Sequence, residues 1–342
     1  MTMDIATVID GALELSVVGS FSRVGYGVRR RVFGWDDPMD ASGDGAMHGR
    51  TVLITGPTSG LGRAATDAIA AMGARIVLVG RSEQRLAAVR RDLAARHGED
   101  RSTTVVADMG DLASVRAAVD TVLATESRLD AVIDNAGAIF PERGDSPDGM
   151  ERTFALMTVG PFALIAGLRP LLERTGHARV VCVTSGGQYT QRLPLDDLAY
   201  REGTYNGPKA YARAKRAQVS LVREWARRLP RESFAINAMH PGWADTPGVA
   251  ASLPGFYRLM GPILRTPAEG VDTAVWLATS PDAAGLSGGL FLDRRPRPFD
   301  RAPMTRLSAA ERRRLWDLVV GLARIPDPAP EVGYASSPWA RV

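Results

Sequence analysis

From residue 50 onward, short β-branched apolar runs alternate with helical stretches rich in alanine and arginine, which limits the folds open to the chain. The apolar runs are expected to form seven strands, at 51–55, 75–79, 103–107, 131–134, 179–184, 234–240 and 290–292. Helical patterns lie near 61–72, 83–97, 111–127, 148–174, 208–229 and 267–280. Strands separated by helices form right-handed βαβ units. The sequence predicts an α/β fold: a Rossmann-type, doubly wound parallel seven-stranded sheet with helices on both faces.

The segments on either side are expected to extend this one domain. The predicted division is an N-terminal extension at 1–48, the Rossmann domain at 49–300 and a C-terminal extension at 301–342. Within the first, helical spacing predicts a helix over 5–19, and the turn-rich residues 34–48 are typical of a linker. In the last, Ser308 and Glu311 form a capping-box pattern that predicts one helix.

Composition excludes several classes of protein. With 342 residues, 45% of them apolar and 23% charged, the chain is globular rather than disordered. The net charge is +4 without a basic block between aromatics, so no nucleic-acid partner is expected. We find no uncharged apolar run of about 18 residues and no metal-ligand residues at a recognisable spacing, and the acidic residues near position 1 lead us to expect no secretory signal. A single cysteine, Cys182, fits a reducing compartment, so a cytoplasmic location is predicted.

A glycine-rich loop follows the first predicted strand and opens a helix. It reads Thr55-Gly56-Pro57-Thr58-Ser59-Gly60-Leu61-Gly62. Glycines let the backbone approach a pyrophosphate closely, and the helix N-terminus offers N–H groups and a positive dipole end. We therefore predict that the loop binds a dinucleotide, through Thr55, Gly56, Thr58, Ser59, Gly60, Leu61 and Gly62. The alternative is a tight turn of purely structural importance.

The residues after the second and third strands indicate which dinucleotide is bound. Arg81 stands where a carboxylate usually contacts the ribose in NAD sites, and it could pair with a 2′-phosphate. This favours NADP(H) over NAD(H), the alternative being a solvated arginine. Asp108 is placed to accept from the adenine amino group or, equally, to cap a turn. Met109 is included in the same predicted site.

The chemistry-bearing residues follow the later strands. The small residues Asn135-Ala136-Gly137 would let the chain pass behind a cofactor, and Ser185 ends the fifth strand. Tyr211 and Lys215 share one helix face through their i,i+4 spacing. An ammonium beside a phenol lowers the pKa of the phenol, and such a tyrosine can exchange a proton with an alcohol or carbonyl oxygen. A serine hydroxyl can hold the same oxygen.

A second Tyr-x3-Lys pair, Tyr205 and Lys209, competes with this assignment. Pro208 is favourable in a first helical turn, so Tyr205 would precede the helix and would not share a face with Lys209. The chain has only these two lysines, Lys209 and Lys215, among 42 basic residues. Because arginine cannot supply the same compact, tunable charge, we predict that Lys215 is chemically required.

The segment after the sixth strand is expected to close the site. Pro241, Gly242, Trp243 and Thr246 would meet the nicotinamide end of the cofactor, whereas His177 and His240 are interpreted as structural. Residues 249–264 should form a flap, and its apolar side chains favour an apolar carbonyl or alcohol substrate. Packing of the flap on the body or on a partner subunit is the alternative.

The N-terminal residues 21–35 mix aromatic side chains with arginines. Such a stretch could contact an anionic membrane surface peripherally. Packing on its own domain is the favoured alternative, and the Asp-rich linker that follows would weaken membrane attraction.

In their order along the chain, these motifs resemble the short-chain dehydrogenase/reductase family over about residues 49–295. The run 240–249 and the Ser185-Gly186-Gly187 motif resemble the branch of SDR family member 12. The resemblance implies hydride transfer between a nicotinamide and a carbonyl or alcohol carbon. It makes Tyr211 the general acid/base, lets Ser185 position the substrate oxygen, and has Lys215 lower the tyrosine pKa and hold the nicotinamide ribose. It also makes a homo-oligomer an expectation by analogy.

One position departs from that family. Met157 stands where an asparagine usually ties a proton-relay water to the lysine, and a methionine cannot anchor that water as an amide does. Thr158 or the backbone could supply the relay, or the enzyme could be slow or inactive. Two hypotheses follow: an NADP(H)-dependent oxidoreductase, or a dinucleotide-binding protein without catalysis, such as a redox sensor or scaffold.

Overall fold

The computed structural model describes residues 5–35, 45–98, 100–230 and 232–330. Its strands form one eight-stranded sheet in the order β3-β2-β1-β4-β5-β6-β7-β8, parallel except for the last pair. The strands are β1 Thr51–Thr55, β2 Arg75–Gly80, β3 Ser102–Val106, β4 Ala131–Asp134, β5 Arg179–Val183, β6 Ala235–Met239, β7 Leu290–Leu292 and β8 Arg295–Pro296.

The α-helices fill the intervals and both extensions. They are α1 Ile5–Glu14, α2 Val17–Phe21, α3 Arg23–Phe33, α4 Gly60–Ala71, α5 Glu83–His97, α6 Leu112–Thr125, α7 Arg152–Phe154, α8 Gly160–Thr175, α9 Gly207–Arg228, α10 Pro247–Ser252, α11 Pro254–Met260, α12 Pro267–Thr279 and α13 Ala309–Ala323. A π-helical turn, Ala155–Val159, joins α7 to α8, and short 3₁₀ turns cover Gly186–Thr190, Gly261–Ile263, Pro281–Ala283 and Pro303–Thr305.

The sheet separates two apolar layers, because its strands are nearly continuous runs of buried β-branched residues. Helices α4, α5 and α12 bury their apolar faces on one side. Helices α6, α8 and α9 cover the other side, and α13 packs over α8 and α9. There Trp316 meets Trp225 and Phe162, with ring centroids 4.9 and 5.0 Å away. The C-terminal extension thus completes the core of the domain.

The predicted doubly wound sheet is confirmed, and each of the seven predicted strands lies within a residue of its expected bounds. The eighth strand was not predicted. It arises because Asp293 and Arg294 both adopt a left-handed conformation, with φ of 53° and 55°, and turn the chain back along β7. The capping box on Ser308 and Glu311 opens α13 as predicted.

The single helix predicted over 5–19 is wrong. The segment forms α1 and α2 instead, because Ser16 caps a new helix by accepting from the Gly19 N–H at 3.0 Å. Ser22 caps α3 in the same way. Most of the predicted linker, residues 36–44, lies outside the described residues, and the domain boundaries stay predictions.

One helical stretch, Arg152–Thr175, is long and apolar enough to cross a membrane by composition alone. Most of its apolar window, 78%, is buried inside the protein, which is what a core helix of the domain requires.

Candidate active site

A cleft of about 840 Å³ opens at the carboxyl ends of the central parallel strands. Of the predicted site residues, it is lined by Gly56, Thr58, Ser59, Leu61, Gly62, Arg81, Met109, Asn135, Ala136, Gly137, Ser185, Tyr211, Lys215, Pro241, Gly242, Trp243 and Thr246. Three others, Thr55, Gly60 and Asp108, are not part of the lining. Side chains from seven separate chain segments therefore share one cavity, at the edge where parallel sheets usually bind ligands.

The glycine-rich loop is built as a cradle. Gly56 has a φ of 68°, and a Cβ on Gly62 would lie 2.0 Å from the Gly56 carbonyl oxygen. Helix α4 can therefore approach β1 only with glycine at position 62. Buried Thr55 supports the loop from behind, since its Oγ1 accepts the N–H groups of Asn135 and Ala136, each at 2.9 Å. These features fit the phosphates of a dinucleotide.

The far end of the cleft is cationic. The Arg81 side chain is 65% exposed there, with its guanidinium 3.9 Å from the Asp108 carboxylate. The other oxygen of Asp108 accepts from the Gly110 N–H at 2.8 Å, which fits the turn-capping alternative. Sequence reasoning missed Ser82 and Arg85, which also line this end. The available signal was that Arg85 lies in the first turn of the helix that directly follows Arg81 and its cap Ser82.

Ser185, Tyr211 and Lys215 meet at the opposite end. Ser185 follows β5, and its Oγ accepts from the Gly187 N–H at 3.2 Å. Burial raises the pKa of Tyr211, and its hydrogen bond with Ser185 offsets part of that rise. The Lys215 Nζ lies 5.9 Å from the centroid of the phenol ring. Burial therefore has the largest influence on the pKa of Tyr211, and the lowering of that pKa by Lys215 stays a prediction.

Lys215 is held by groups behind the cleft. Its Nζ donates to the Val183 carbonyl oxygen at 2.7 Å and to Gln218 Oε1 at 3.3 Å. The Gln218 Nε2 in turn donates to Asp134 Oδ2 at 2.7 Å. Burial lowers the pKa of Lys215, and the charge of Asp134 opposes this. Sequence reasoning missed Asp134 and Gln218, although Asp134 directly precedes the Asn-Ala-Gly motif.

The departure at Met157 coincides with the π-helical turn. Met157 is fully buried, and a Cβ on Gly137 would lie 2.9 Å from its Sδ. Thr158 is also buried and donates to the Ala214 carbonyl oxygen at 3.2 Å. Its hydroxyl is therefore engaged by α9 rather than facing the cleft. A π turn inside a helix often marks a functional site.

The competing pair is separated by the start of α9. Asn206 caps this helix, so Tyr205 precedes it. The Tyr205 hydroxyl lies 3.1 Å from Glu151 Oε1, whereas Lys209 is exposed in the first turn. Neither Tyr205 nor Lys209 lines the cleft.

Apolar side chains from α10, from α11 and from the residue between them cover the end of the cleft that holds Ser185 and Tyr211. Val249, Leu253 and Phe256 line the cleft, and Phe256 packs edge-on to Trp243 at 5.3 Å between ring centroids. The predicted flap thus forms two short helices. Sequence reasoning missed Phe21, whose carbonyl oxygen accepts from the Trp243 N–H at 2.8 Å.

The N-terminal helices are joined to this end by buried charges. Arg29 is fully buried and donates to Asp10 at 2.6 Å, Glu14 at 2.6 Å and Asp293 at 2.7 Å. Arg265 also pairs with Asp293, at 2.6 Å, and donates to the Phe21 carbonyl oxygen at 3.0 Å. Burial, followed by nearby arginines, holds the pKa of His240 well below its ordinary value, so this ring is neutral and structural.

Comparison with known proteins decides the family. The family model described as short chain dehydrogenase matches residues 50–254. The chain belongs to the short-chain dehydrogenase/reductase family. It is 38% identical to dehydrogenase/reductase SDR family member 12 of Bos taurus, over 81% of this chain and 87% of that protein. It is 35% identical to retinol dehydrogenase 14 of Mus musculus, over 80% and 86%.

A solved structure of a short chain dehydrogenase from Salmonella enterica superposes with a TM-score of 0.60 at 25% identity. The superposition covers 72% of this chain and 97% of that chain. This short-chain dehydrogenase/reductase is therefore an oxidoreductase of CH–OH or C=O groups with a Rossmann fold that binds NAD(P).

Proposed function

We propose that the protein is an NADP(H)-dependent oxidoreductase that transfers a hydride between the nicotinamide and an apolar carbonyl or alcohol. The observation that carries this is the single cleft, in which Ser185 and Tyr211 lie between a phosphate cradle and an apolar roof. The three catalytic assignments, Ser185, Tyr211 and Lys215, are part of the proposal.

The cofactor would be held along the whole cleft. The glycine-rich loop would bind the pyrophosphate, and Asn135-Ala136-Gly137 would flank the dinucleotide. Lys215 would hold the nicotinamide ribose, and Pro241, Gly242, Trp243 and Thr246 would meet the carboxamide end. When bound, the dinucleotide supplies or accepts the hydride.

Tyr211 and Ser185 would handle the substrate oxygen. Because burial raises the pKa of Tyr211, the phenol keeps its proton at neutral pH. In the reduction direction, Tyr211 therefore donates this proton to the oxygen of the carbonyl as its carbon is reduced. The Ser185 hydroxyl donates a hydrogen bond to the same oxygen and fixes its position.

NADP(H) selectivity would come from Arg81 and Arg85. Both line the far end of the cleft, and Arg81 is exposed enough to meet a phosphate in solution. One oxygen of the Asp108 carboxylate faces Arg81 and the other accepts from the Gly110 N–H. We therefore propose that Asp108 caps this turn first and contacts the adenine amino group only in addition.

The substrate class follows from the roof. Val249, Leu253, Phe256 and Trp243 give the catalytic end an apolar surface. An apolar pocket with few polar groups selects by shape and desolvation, as a long-chain or polycyclic carbonyl would require. Retinol dehydrogenase 14, whose name states an apolar alcohol, is among the relatives.

The test is a titration of the purified protein with NADPH and NADH, followed by cofactor fluorescence. A panel of apolar aldehydes and ketones is then added, with Tyr211→Phe as the matched variant. We expect NADPH to bind more tightly than NADH, and we expect apolar carbonyls to oxidise the bound NADPH. The Tyr211→Phe variant should bind NADPH without turnover. If no carbonyl of the panel oxidises NADPH, the enzymatic proposal is overturned. It would favour the non-catalytic alternative, for which the buried Met157 is the specific observation.

A peripheral membrane contact is proposed at a surface that lies mostly before the predicted residues 21–35. Phe21, Tyr26 and Arg29 are buried against the domain, as the favoured alternative expected. Most of the exposed large apolar side chains among the described residues instead lie in the segment from α1 to α3: Ile5, Val8, Leu15, Val17, Val18 and Val24. Asp10 and Glu14 pair with arginines of the domain, and we propose that the exposed apolar side chains of this segment meet a lipid surface.

Co-sedimentation with vesicles of anionic and zwitterionic phospholipid tests this contact. Binding of the wild type and its loss in a Val17→Asp, Val18→Asp variant is expected. An equal amount of both proteins in the pellet would contradict it. The homo-oligomer and the cytoplasmic location stay predictions.

A further inference from the structure

A buried carboxylate lies behind the catalytic lysine, at a place that the family pattern does not assign. Asp134 is the last residue of β4 and is 1% exposed. Its Oδ2 accepts from Gln218, and its Oδ1 accepts from the Thr55 hydroxyl at 3.3 Å. The Thr55 oxygen already accepts two backbone N–H groups, so its single proton is free for Asp134.

The orientation of Gln218 is fixed by its two neighbours. An ammonium can only donate and a carboxylate can only accept, so the amide oxygen must face Lys215 and the amide nitrogen must face Asp134. A continuous chain of hydrogen bonds results, from Lys215 through Gln218 to Asp134, with Thr55 donating from the other side. It joins the strand that begins the phosphate loop to the helix that carries Tyr211.

We propose that Asp134 and Gln218 are positioning residues that hold the Lys215 ammonium charged and in place, and that they substitute for the asparagine that Met157 replaces. This deepens the proposed function, on which its catalytic consequence rests. The chain of hydrogen bonds from Lys215 through Gln218 to Asp134, called the relay below, does not depend on a cofactor. It can therefore be tested separately.

The electrostatics of the cluster agree with this arrangement. Burial raises the pKa of Asp134 to about 6, and Lys215 and Gln218 oppose the rise. At pH 7 and above Asp134 is therefore a counter-charge to the ammonium. The other titratable groups that face the pair are Tyr211 on α9 and Cys182 on β5, whose thiol stays neutral because burial raises its pKa well above the ordinary value. On the remaining side, buried Met157 offers no polar atom stronger than a thioether.

The two lysines of the chain make a direct measurement practical. Labelling with [ε-¹³C]lysine gives one signal from Lys215 and one from exposed Lys209, and Lys209→Arg assigns them. The pH at the midpoint of the Lys215 titration is then measured in the wild type, in Asp134→Asn and in Gln218→Leu. Asp130→Asn is the matched control, since Asp130 directly precedes β4 and hydrogen-bonds to Thr51 and Arg128 instead. Lys209 serves as the internal reference.

We expect Asp134→Asn to lower the Lys215 midpoint by about one pH unit or more, because a nearby opposite charge is lost. Gln218→Leu, which keeps both charges, should move it by less, and Asp130→Asn should leave it unchanged. If Asp134→Asn does not fold, the test rests on Gln218→Leu. In that case the midpoint of the Lys215 titration in Gln218→Leu must differ from that of the wild type. A Lys215 midpoint that stays within about 0.2 units in the folded variants overturns the relay.

Turnover separates this inference from the proposed function. With an accepted carbonyl, Asp134→Asn should lower kcat about tenfold, with the change largest on the alkaline side and KM changed less than about twofold. If no carbonyl is turned over, the proposed function fails, yet the lysine midpoints still decide the relay. A shifted midpoint with unchanged kcat would overturn its positioning function in catalysis.

Discussion

The two ends of the cleft are built on different physical principles. The nucleotide end is made of backbone N–H groups, glycines and an exposed arginine, all within short stretches of sequence. The catalytic end depends on buried charges that come from distant positions, such as Arg29, Arg265 and Asp293. The first tolerates water and needs only a tight turn, whereas the second is stable only if every buried charge is paired.

This difference has a functional consequence. Exposed groups at the nucleotide end can change cofactor affinity without disturbing the fold, because screening by water keeps their interactions weak. At the end of the cleft that holds Ser185 and Tyr211, Lys215 donates to the Val183 carbonyl oxygen and Trp243 donates to that of Phe21 in the N-terminal helices, so chemistry and stability are coupled there. The variants below are chosen to break or sharpen this contrast.

The largest effect is expected at Lys215, the proposed catalytic lysine. In Lys215→Arg the charge is kept, but a planar guanidinium does not reproduce the hydrogen bonds of the compact ammonium to Val183 and Gln218. We expect kcat to fall by roughly 10³- to 10⁴-fold. Steady-state kinetics measures this, with Lys209→Arg as the matched control. A loss of less than tenfold would show that any cation suffices at this position.

The second effect is on stability. Arg29→Ala leaves the carboxylates of Asp10, Glu14 and Asp293 with fewer partners in a buried site. The free energy of unfolding should fall by about 3–5 kcal/mol, as when one partner of a buried ion pair is removed. Arg90→Ala, which breaks an exposed pair with Asp100, should cost about 1 kcal/mol or less. Denaturant titrations compare the two, and equal losses would refute the contrast between buried and exposed charges.

How far the sequence predicts each end follows from the same difference. Gly56, Gly62 and Tyr211 belong to motifs spaced by a few residues, so local patterns identify them together with the strand order. Asp134 meets Gln218 across 84 positions, and Arg29 meets Asp293 across 264. Sequence periodicity does not indicate such long-range contacts. A buried acidic residue cannot be distinguished from an exposed one until the fold is known. The N-terminal helices were misjudged for a different and local reason, since the serine caps Ser16 and Ser22 divide a segment whose spacing alone favours one helix.

A moderate effect is expected from the exposed arginines of the nucleotide end. Arg81→Ala should raise the Kd for NADPH by about 10- to 100-fold and leave that for NADH within about threefold. The reason is that only NADPH carries the 2′-phosphate. Fluorescence titration measures both constants, and Arg85→Ala tests the second arginine in the same way. An equal rise in the Kd values for NADPH and NADH would remove the basis for NADP(H) selectivity. The free energy of unfolding of the variant should stay that of the wild type.

The smallest effect on rate is expected where the family pattern is broken. Met157→Asn restores the usual side chain, but position 157 is fully buried, and a buried amide that lacks partners costs about 1–3 kcal/mol of stability. If Asp134 and Gln218 already hold the ammonium, an added amide supplies nothing that the lysine lacks. We therefore expect kcat within about threefold of the wild type and a lower Tm. A tenfold or greater rise in kcat would show instead that the missing asparagine limits the reaction, and that the relay behind Lys215 does not replace it.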